Sequence, residues 1–310
     1  MKIIHGINRI KKFKNPVVAM GVFDGVHRGH VHILKETVKK AKAIKGRSIA
    51  LTFWPHPQKE DGIYCMPHRL RLIAKTGIDV TVVINFNKSF AKIKAQDFIE
   101  DILIKKINAK YIYVGENFRF GQGAKGDIRL LNKLSRVYGF ILKTFGVIKV
   151  NHQPISSTYI RNLISKGNLK SAQHLLSRRV SILGTVIKGD SLATRLGYPT
   201  ANINPHHEIS PPSGIYAVKV IFNQRLFNGI CYIGTRPTIK SQIANSKWQI
   251  AKRIEVHIFN FKKNIYGKYL EIQFIKKIRE DRKFASCQAL TQQIKKDMFL
   301  VKSLFSRHQH

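Results

Sequence analysis

Two hydrophobic periodicities divide this chain. From Pro16 to about Leu176, short apolar runs alternate with longer stretches whose apolar residues recur at helical spacing. Val17 to Met20 is such a run, Val31, Ile33, Leu34, Val38 and Ala41 follow at helical intervals, and Ile49 to Trp54 is a second run. These positions predict strand, helix, strand. The alternation continues with a strand at Val80 to Ile84, a helical stretch from Ala91 to Ile107, a strand at Tyr111 to Val114 and another near Phe140 to Val150. Such an order predicts a parallel sheet with helices on both faces.

After about Arg179 the period becomes two, as in GIYAVKVIF (Gly214 to Phe222), RIEVHIFNF (Arg253 to Phe261) and KYLEIQFI (Lys268 to Ile275). Half-buried antiparallel strands have this pattern. Turn residues punctuate them, among them Pro205, Pro211, Pro212, Gly229, Gly234 and Gly267, and one helical stretch from about Ala289 to Leu304 closes the chain. A small antiparallel β-barrel with a C-terminal helix is the expected second domain. The change of period places the boundary at Arg178 to Val180, so the expected domains are residues 1–178 and 179–310, in keeping with a chain of 310 residues. Neither internal repeats nor a low-complexity linker interrupts it.

Composition narrows the class. With 44% hydrophobic and 23% charged residues the chain is an ordinary globular one, not disordered or collagenous. The charge balance is less ordinary: 55 Lys and Arg against 17 Asp and Glu give +38 with His neutral. A nucleic acid, an acidic membrane surface or phosphorylated small molecules would all answer such a field. The excess is spread in short clusters (Lys11, Lys12, Lys14; Lys39, Lys40, Lys42; Lys276, Lys277, Arg279), which also fits solvated faces. A nucleic-acid binder would interleave such clusters with exposed aromatics, whereas Phe222, Phe227, Tyr232, Phe259 and Phe261 fall at strand spacing and read as core. Cys65, Cys231 and Cys287 are widely spaced with no CxxC pair, which predicts free thiols and a cytoplasmic protein. The apolar stretch before Lys11 is too short for a signal peptide, and no run of about 18 apolar residues occurs, so no membrane association is expected.

Candidate chemistry starts directly after the first strand, in GVFDGVHRGH (Gly21 to His30), which leads into the first helix. A strand end, a glycine-containing turn and a helix N-terminus together offer free N–H groups and a positive dipole to a phosphate. His27 and His30 can both donate to the charge that develops on a transferring nucleotidyl group, or one of them can simply cap the helix. In ISSTYIR (Ile155 to Arg161), Ser157 and Thr158 can donate to phosphate oxygens and Arg161 can bind them bidentately. The same segment is also an ordinary N-cap. Asn117, on a loop after a strand, is a hydrogen-bond donor or a plain turn residue. In PTAN, Thr200 and Asn202 carry neutral oxygens two residues apart, on one side of an extended segment, a donor set suited to Mg2+ beside phosphates. Glu255 is the one acidic residue of RIEVHIF, where it could also be a surface partner of Lys252 or Arg253.

The turn resembles the HxGH signature of the nucleotidyltransferase superfamily. TFWPHP (Thr52 to Pro57), VGENFRFGQGAKGD (Val114 to Asp127) and ISSTYIR follow in the order and at the spacing of bacterial bifunctional riboflavin kinase/FAD synthetases. LGYPTANI (Leu196 to Ile203), GIYAVKV (Gly214 to Val220), IGTRPT (Ile233 to Thr238), IEVHIFNF (Ile254 to Phe261) and YGKYLEIQFIKKIRED (Tyr266 to Asp281) are similar to the kinase module of the same family. The resemblance implies a Rossmann-like α/β nucleotidyltransferase domain followed by a small antiparallel β-barrel riboflavin kinase domain. It implies that riboflavin is phosphorylated by ATP to FMN, and that FMN is adenylylated to FAD with release of pyrophosphate, with Mg2+ as cofactor. By resemblance, His27 and His30 contact the ATP phosphates, Gly21, Phe23, Asp24 and Gly25 shape the turn, and Asn117 places the reacting phosphates. His56 would lie near the flavin nucleotide, Thr200 and Asn202 at the metal, and Glu255 would accept the ribityl hydroxyl proton.

Two departures stand out. Many family members carry a second glycine where this chain has Ala193 and an arginine where it has Thr194, in the loop Lys188 to Arg195. A Glu-Lys pair frequent in the family around Arg69 to Arg71 is also absent. An adenylyltransferase with an impaired kinase is therefore the alternative within the family. Transferases for other acceptors share HxGH but lack the barrel motifs.

Overall fold

The computed structural model describes residues 1–57, 62–150, 153–189, 197–235 and 252–307. They form two compact units: Met1–Ile160 with Leu175–Ser177, and Arg161–His174 with Arg178–His310. Both architectures predicted from the periodicity are present: a parallel six-stranded sheet in the first unit and a closed antiparallel barrel in the second.

The sheet of the first unit consists of β1 (Lys2–His5), β2 (Pro16–Met20), β3 (Arg47–Trp54), β4 (Val80–Asn85), β5 (Tyr111–Gly115) and β6 (Ile141–Phe145), in the spatial order β1-β4-β3-β2-β5-β6. Every pairing is parallel. All five residues of β2 are buried, as a central strand covered on both faces requires. Between the strands run α1 (Arg28–Ala43), α2 (Met66–Ala74), α3 (Ala95–Asp97, continued by a π-helical stretch Phe98–Lys106) and α4 (Ile128–Tyr138). Helix α1 buries Ile33, Leu34, Thr37 and Ala41, one stripe at helical spacing, against β2 and β3. Helix α4 starts at Asp127, whose carboxylate accepts the Leu130 N–H at 3.0 Å, and stops at Gly139 in the left-handed region.

Three differences from the expected elements have local causes. The edge strand β1 is only four residues long, too short to register as a periodic run, and pairing with β4 defines it. The stretch read as one helix from Ala91 is a short 3-10 turn (Phe90–Lys92) before α3, because Ile93 and Lys94 are extended. The segment read as one strand to Val150 is split into β6 and β7 (Lys149–Val150), which pairs with β8 (Gln153–Pro154).

Helices α5 (Ser157–Ser165) and α6 (Leu169–Leu176) follow. The barrel of the second unit contains β9 (Ser181–Ile187), β10 (Ala201–Asn204), β11 (Gly214–Phe222), β12 (Arg225–Thr235), β13 (Lys252–Ile258) and β14 (Tyr269–Arg279), closed in the order β10-β13-β12-β11-β14-β9. β11 and β12 form a hairpin in which Phe222 pairs with Arg225 across Asn223 and Gln224, both at positive φ, the twist that suits a two-residue turn. Helix α7 (Cys287–Ser306) ends the described chain, capped by Ser286, whose hydroxyl accepts the Ala289 N–H at 3.1 Å.

Leu34 is fully buried under α1. Leu34→Ala is expected to cost about 2–5 kcal/mol, read as a lower urea midpoint for the first unit; an unchanged midpoint would refute this packing of α1.

Candidate functional site

In the first unit the site begins where β2 ends. Three residues of the following turn are in the left-handed region: Phe23 (φ 52), Gly25 (φ 77) and Val26 (φ 40). Non-glycine residues there cost about 1–3 kcal/mol each and need surroundings that hold them. Phe23 and Val26 have such surroundings, being buried. At Gly25 a Cβ would lie 2.6 Å from Ile63 Cδ1, so a side chain there would be strained by φ and would require Ile63 to shift. The Asp24 carboxylate accepts the Ile63 N–H at 2.8 Å, and the Ser157 hydroxyl donates to the Asp24 carbonyl at 2.8 Å. The turn is thus anchored from two sides.

His27 caps α1, its Nδ1 accepting the His30 N–H at 3.4 Å. It is also stacked on His30, ring centroids 3.6 Å apart and planes 19° apart, and Phe23 meets His30 edge-on at 5.4 Å. The His27 ring therefore both caps the helix and pairs with the His30 ring. Both imidazoles sit at the positive end of a 16-residue helix.

The strand order reverses direction on either side of β2, since β3 and β4 lie to one side and β5 and β6 to the other. Sheets of this kind bind ligands at the carboxyl ends of the strands flanking that point. A cleft of about 570 Å3 opens there, lined by Val22 after β2, His56 after β3, Phe86 after β4 and Asn117 after β5. That volume is within the roughly 300–1,000 Å3 of small-molecule sites. Phe53, Phe90, Phe98, Phe118 and Phe120 add to its wall, giving an apolar, aromatic surface for a flat ring system. His56 and Asn117 are thus brought into one cleft, whereas His27 and His30 lie on the turn beyond its Val22 edge. Thr158 is exposed near the start of α5, and Arg161, three residues on along that helix, is counted with the second unit.

Sequence reasoning missed Arg69. It is 1% exposed on α2, donating through Nη1 to the Val22 carbonyl at 2.6 Å and through Nη2 to the Phe53 carbonyl at 3.3 Å. Burial lowers its pKa to about 10, with Asp24 and Cys65 opposing the shift. The signal was available: Met66, Arg69, Leu72 and Ile73 form one buried stripe with an arginine in it.

In the barrel, register assembles the site. Asn202 on β10 is directly opposite Glu255 on β13, and Glu255 is directly opposite Tyr232 on β12. Opposed residues share a face, so the three form one row. Glu255 is buried and ion-paired with Arg253, its partly exposed neighbour two residues back on the same face, so the pairing lies in the wall of a cleft with only its arginine open to solvent. Asn202 packs against Gly189, where any Cβ would run into its amide. The His257 Nδ1–H donates to the Pro199 carbonyl at 2.7 Å, fixing the residue before Thr200.

A cleft of about 310 Å3 joins Thr200, Tyr232, Arg253 and Glu255 to Phe284 and to Met298 of α7. A second, of about 500 Å3, shares Thr200 and is bordered by Lys262, Lys263 and Tyr266. Thr200 therefore stands between a pocket whose wall carries aromatic rings and side chains of both charges and one bordered by lysines. Helix α7 is held by a buried ion pair: Arg279 Nε reaches both Asp297 oxygens at 3.1 and 2.9 Å, and Nη2 reaches Oδ2 at 2.8 Å. Tyr232 donates to Asp281 at 3.2 Å, and burial raises its pKa, keeping the phenol protonated. Neither Tyr232 nor the Arg279–Asp297 pair is identifiable without the register. The loop departures Ala193 and Thr194 fall at positions outside the described residues, as do Leu196 and the second half of the IGTRPT motif, Arg236 to Thr238.

Residues 9–159 match the family described as FAD synthetase, and residues 176–305 match that described as riboflavin kinase. The bifunctional riboflavin kinase/FMN adenylyltransferase of Buchnera aphidicola subsp. Schizaphis graminum is 37% identical, with 99% of each chain covered. Those of Escherichia coli K12 and Bacillus subtilis 168 are 33% identical over 98% of both chains and 34% identical over 91% of this chain and 90% of the relative. A crystal structure described as a macrolide-efflux protein from Streptococcus pneumoniae is 27% identical, with a TM-score of 0.81 over 97% of this chain and 99% of that one. Among the described residues no helix is long and apolar enough to cross a membrane. With both domains present along nearly its whole length, the chain belongs to the family of bifunctional riboflavin kinase/FMN adenylyltransferases, which convert riboflavin to FMN and FMN to FAD.

Proposed function

We propose that the two reactions divide between the domains, with residues 1–178 carrying FMN adenylylation and residues 179–310 riboflavin phosphorylation. The observation that carries this division is the in-register row Asn202, Glu255, Tyr232, which gives the barrel a buried carboxylate facing neutral oxygens, independent of the histidine turn.

In the barrel, Glu255 accepts the proton of the ribityl 5′-hydroxyl as that oxygen attacks the γ-phosphorus of ATP and ADP departs. The flavin occupies the cleft between Tyr232 and α7, and the nucleotide the cleft bordered by Lys262 and Lys263, with Thr200 between them. The donor set fits Mg2+: a hydroxyl and an amide oxygen, neutral and hard, with Asn202 held in place by the absence of a Cβ at Gly189. Thr200 and Asn202 would hold the ion, which when bound screens the phosphate charges.

In the first domain the phosphate of FMN attacks the α-phosphorus of ATP, and pyrophosphate leaves. His27 and His30 donate to the phosphate oxygens as charge builds on the leaving group, helped by the N–H groups of α1. Gly21, Phe23, Asp24 and Gly25 give the turn its shape. Ser157 acts through its bond to Asp24, Thr158 and Arg161 bind phosphate, and Asn117 orients it. The isoalloxazine lies in the phenylalanine-lined cleft beside His56. Riboflavin, FMN and ATP are the partners in this scheme, with no specific nucleic acid. Three free cysteines support a cytoplasmic setting.

The division is tested by following riboflavin, FMN and FAD chromatographically. His27→Ala or His30→Ala should lower FAD formation from FMN by about 10²-fold or more while leaving FMN formation intact. Glu255→Gln should do the reverse, by about 10²- to 10⁴-fold; loss of both activities in a folded single variant sinks the assignment. Gly189→Ala should lower riboflavin phosphorylation alone, because its Cβ displaces the Asn202 amide. Chelation with EDTA should stop both conversions and added Mg2+ restore them; phosphorylation that persists in EDTA would remove the metal from the scheme.

A further inference from the structure

Arg69 is an expensive residue to keep where it is. An arginine cannot shed its charge at neutral pH, and burying one costs several kcal/mol unless the protein replaces its water. Here 99% of its surface is covered, burial being the leading cause of its lowered pKa. The replacement for water is specific. Nη1 donates to the Val22 carbonyl at 2.6 Å and Nη2 to the Phe53 carbonyl at 3.3 Å, while the guanidinium lies 5.2 Å from the ring centre of Trp54 and feels the charge of Asp24.

Those two carbonyls belong to the two chain segments that the proposed adenylyl-transfer site has to hold together. Val22 follows β2 and opens the turn that leads through Asp24 and Gly25 to His27 and His30. Phe53 and Trp54 end β3 and lead through Pro55 to His56. Val22, Phe53 and His56 all line the aromatic cleft. The Val22 carbonyl also accepts the Thr52 hydroxyl at 2.8 Å, so it is bound from both β3 and α2. A planar fork with donors pointing two ways bridges these carbonyls, whereas a lysine ammonium in its place is a single point of donors.

We propose that Arg69 is a positioning residue for FMN adenylylation, a staple from α2 that sets the spacing between the phosphate turn and the His56 wall of the cleft. It touches neither substrate; it acts through Val22 and Phe53. This rests on the placement of the flavin nucleotide in that cleft, and the experiment separates the two. Small displacements of positioned reactants cost large factors in rate, about 10²-fold for 1 Å.

Wild-type protein, Arg69→Met, Arg69→Lys and His56→Ala would be compared as full-length chains, with KM for FMN and kcat measured for adenylylation and riboflavin phosphorylation measured in the same preparations. Arg69→Met is expected to lower kcat/KM for FMN adenylylation about 10- to 100-fold, with phosphorylation unchanged, and Arg69→Lys to recover part of that loss. Adenylylation at the wild-type level in Arg69→Met overturns the proposal. So does a loss that Arg69→Lys reproduces in full, or one that equals the fall in the fraction of folded first domain seen by urea denaturation. If His56→Ala leaves KM for FMN unchanged, the placement of the flavin fails; if it raises KM while Arg69→Met leaves kcat/KM at the wild-type level, only the role of Arg69 fails.

Discussion

A charge taken out of water has to be given back what water supplied, and each unit is arranged around such a charge. In the sheet unit it is the Arg69 guanidinium, whose Nη1 and Nη2 donate to the carbonyls of Val22 and Phe53. In the barrel it is Asp297 on α7, gripped by Arg279 of β14 and by the Gln293 amide at 2.7 Å. Neither charge belongs to an assigned reacting group. Each instead fixes a wall of a cleft, the turn after β2 in one case and the C-terminal helix in the other. Rigid supports of this kind let neighbouring polar groups keep one orientation when no substrate orders them.

The candidate groups themselves are set by two different devices. In the sheet unit, parallel strands bring their carboxyl ends to one edge, so residues as far apart as Val22, His56 and Asn117 line one cleft. Left-handed backbone at Phe23, Gly25 and Val26 then turns the chain sharply enough to start α1 with its histidines stacked. In the barrel, cross-strand register does this work, placing Asn202, Glu255 and Tyr232 in a line across three strands.

This contrast explains what could be read from the amino-acid order. Local signals were legible: the apolar run of β2, the stripe of α1, the glycine-containing turn with two histidines, the C-terminal helix. The strand β1 was not, because four residues carry no period and only β4 defines them. Nor was the hairpin turn at Asn223 and Gln224, which lacks the glycine that usually marks positive φ. Site residues whose role depends on partners distant in sequence were the ones missed. Arg69 serves carbonyls 47 and 16 residues away, and Arg279 meets Asp297 18 residues on. Glu255 was found through its motif, yet its burial beside Arg253 follows from the barrel alone.

Closure of the barrel has an evolutionary corollary. With every strand of the described barrel paired on both sides, the described residues leave no free edge where a slipped strand could be tolerated. Adding or deleting one residue inside β13 would turn Glu255 to the opposite face and reverse every side chain beyond it. Lineages descending from such a barrel should therefore vary in length at the connections, conserving strand length as strictly as the identity of the residues the strands display.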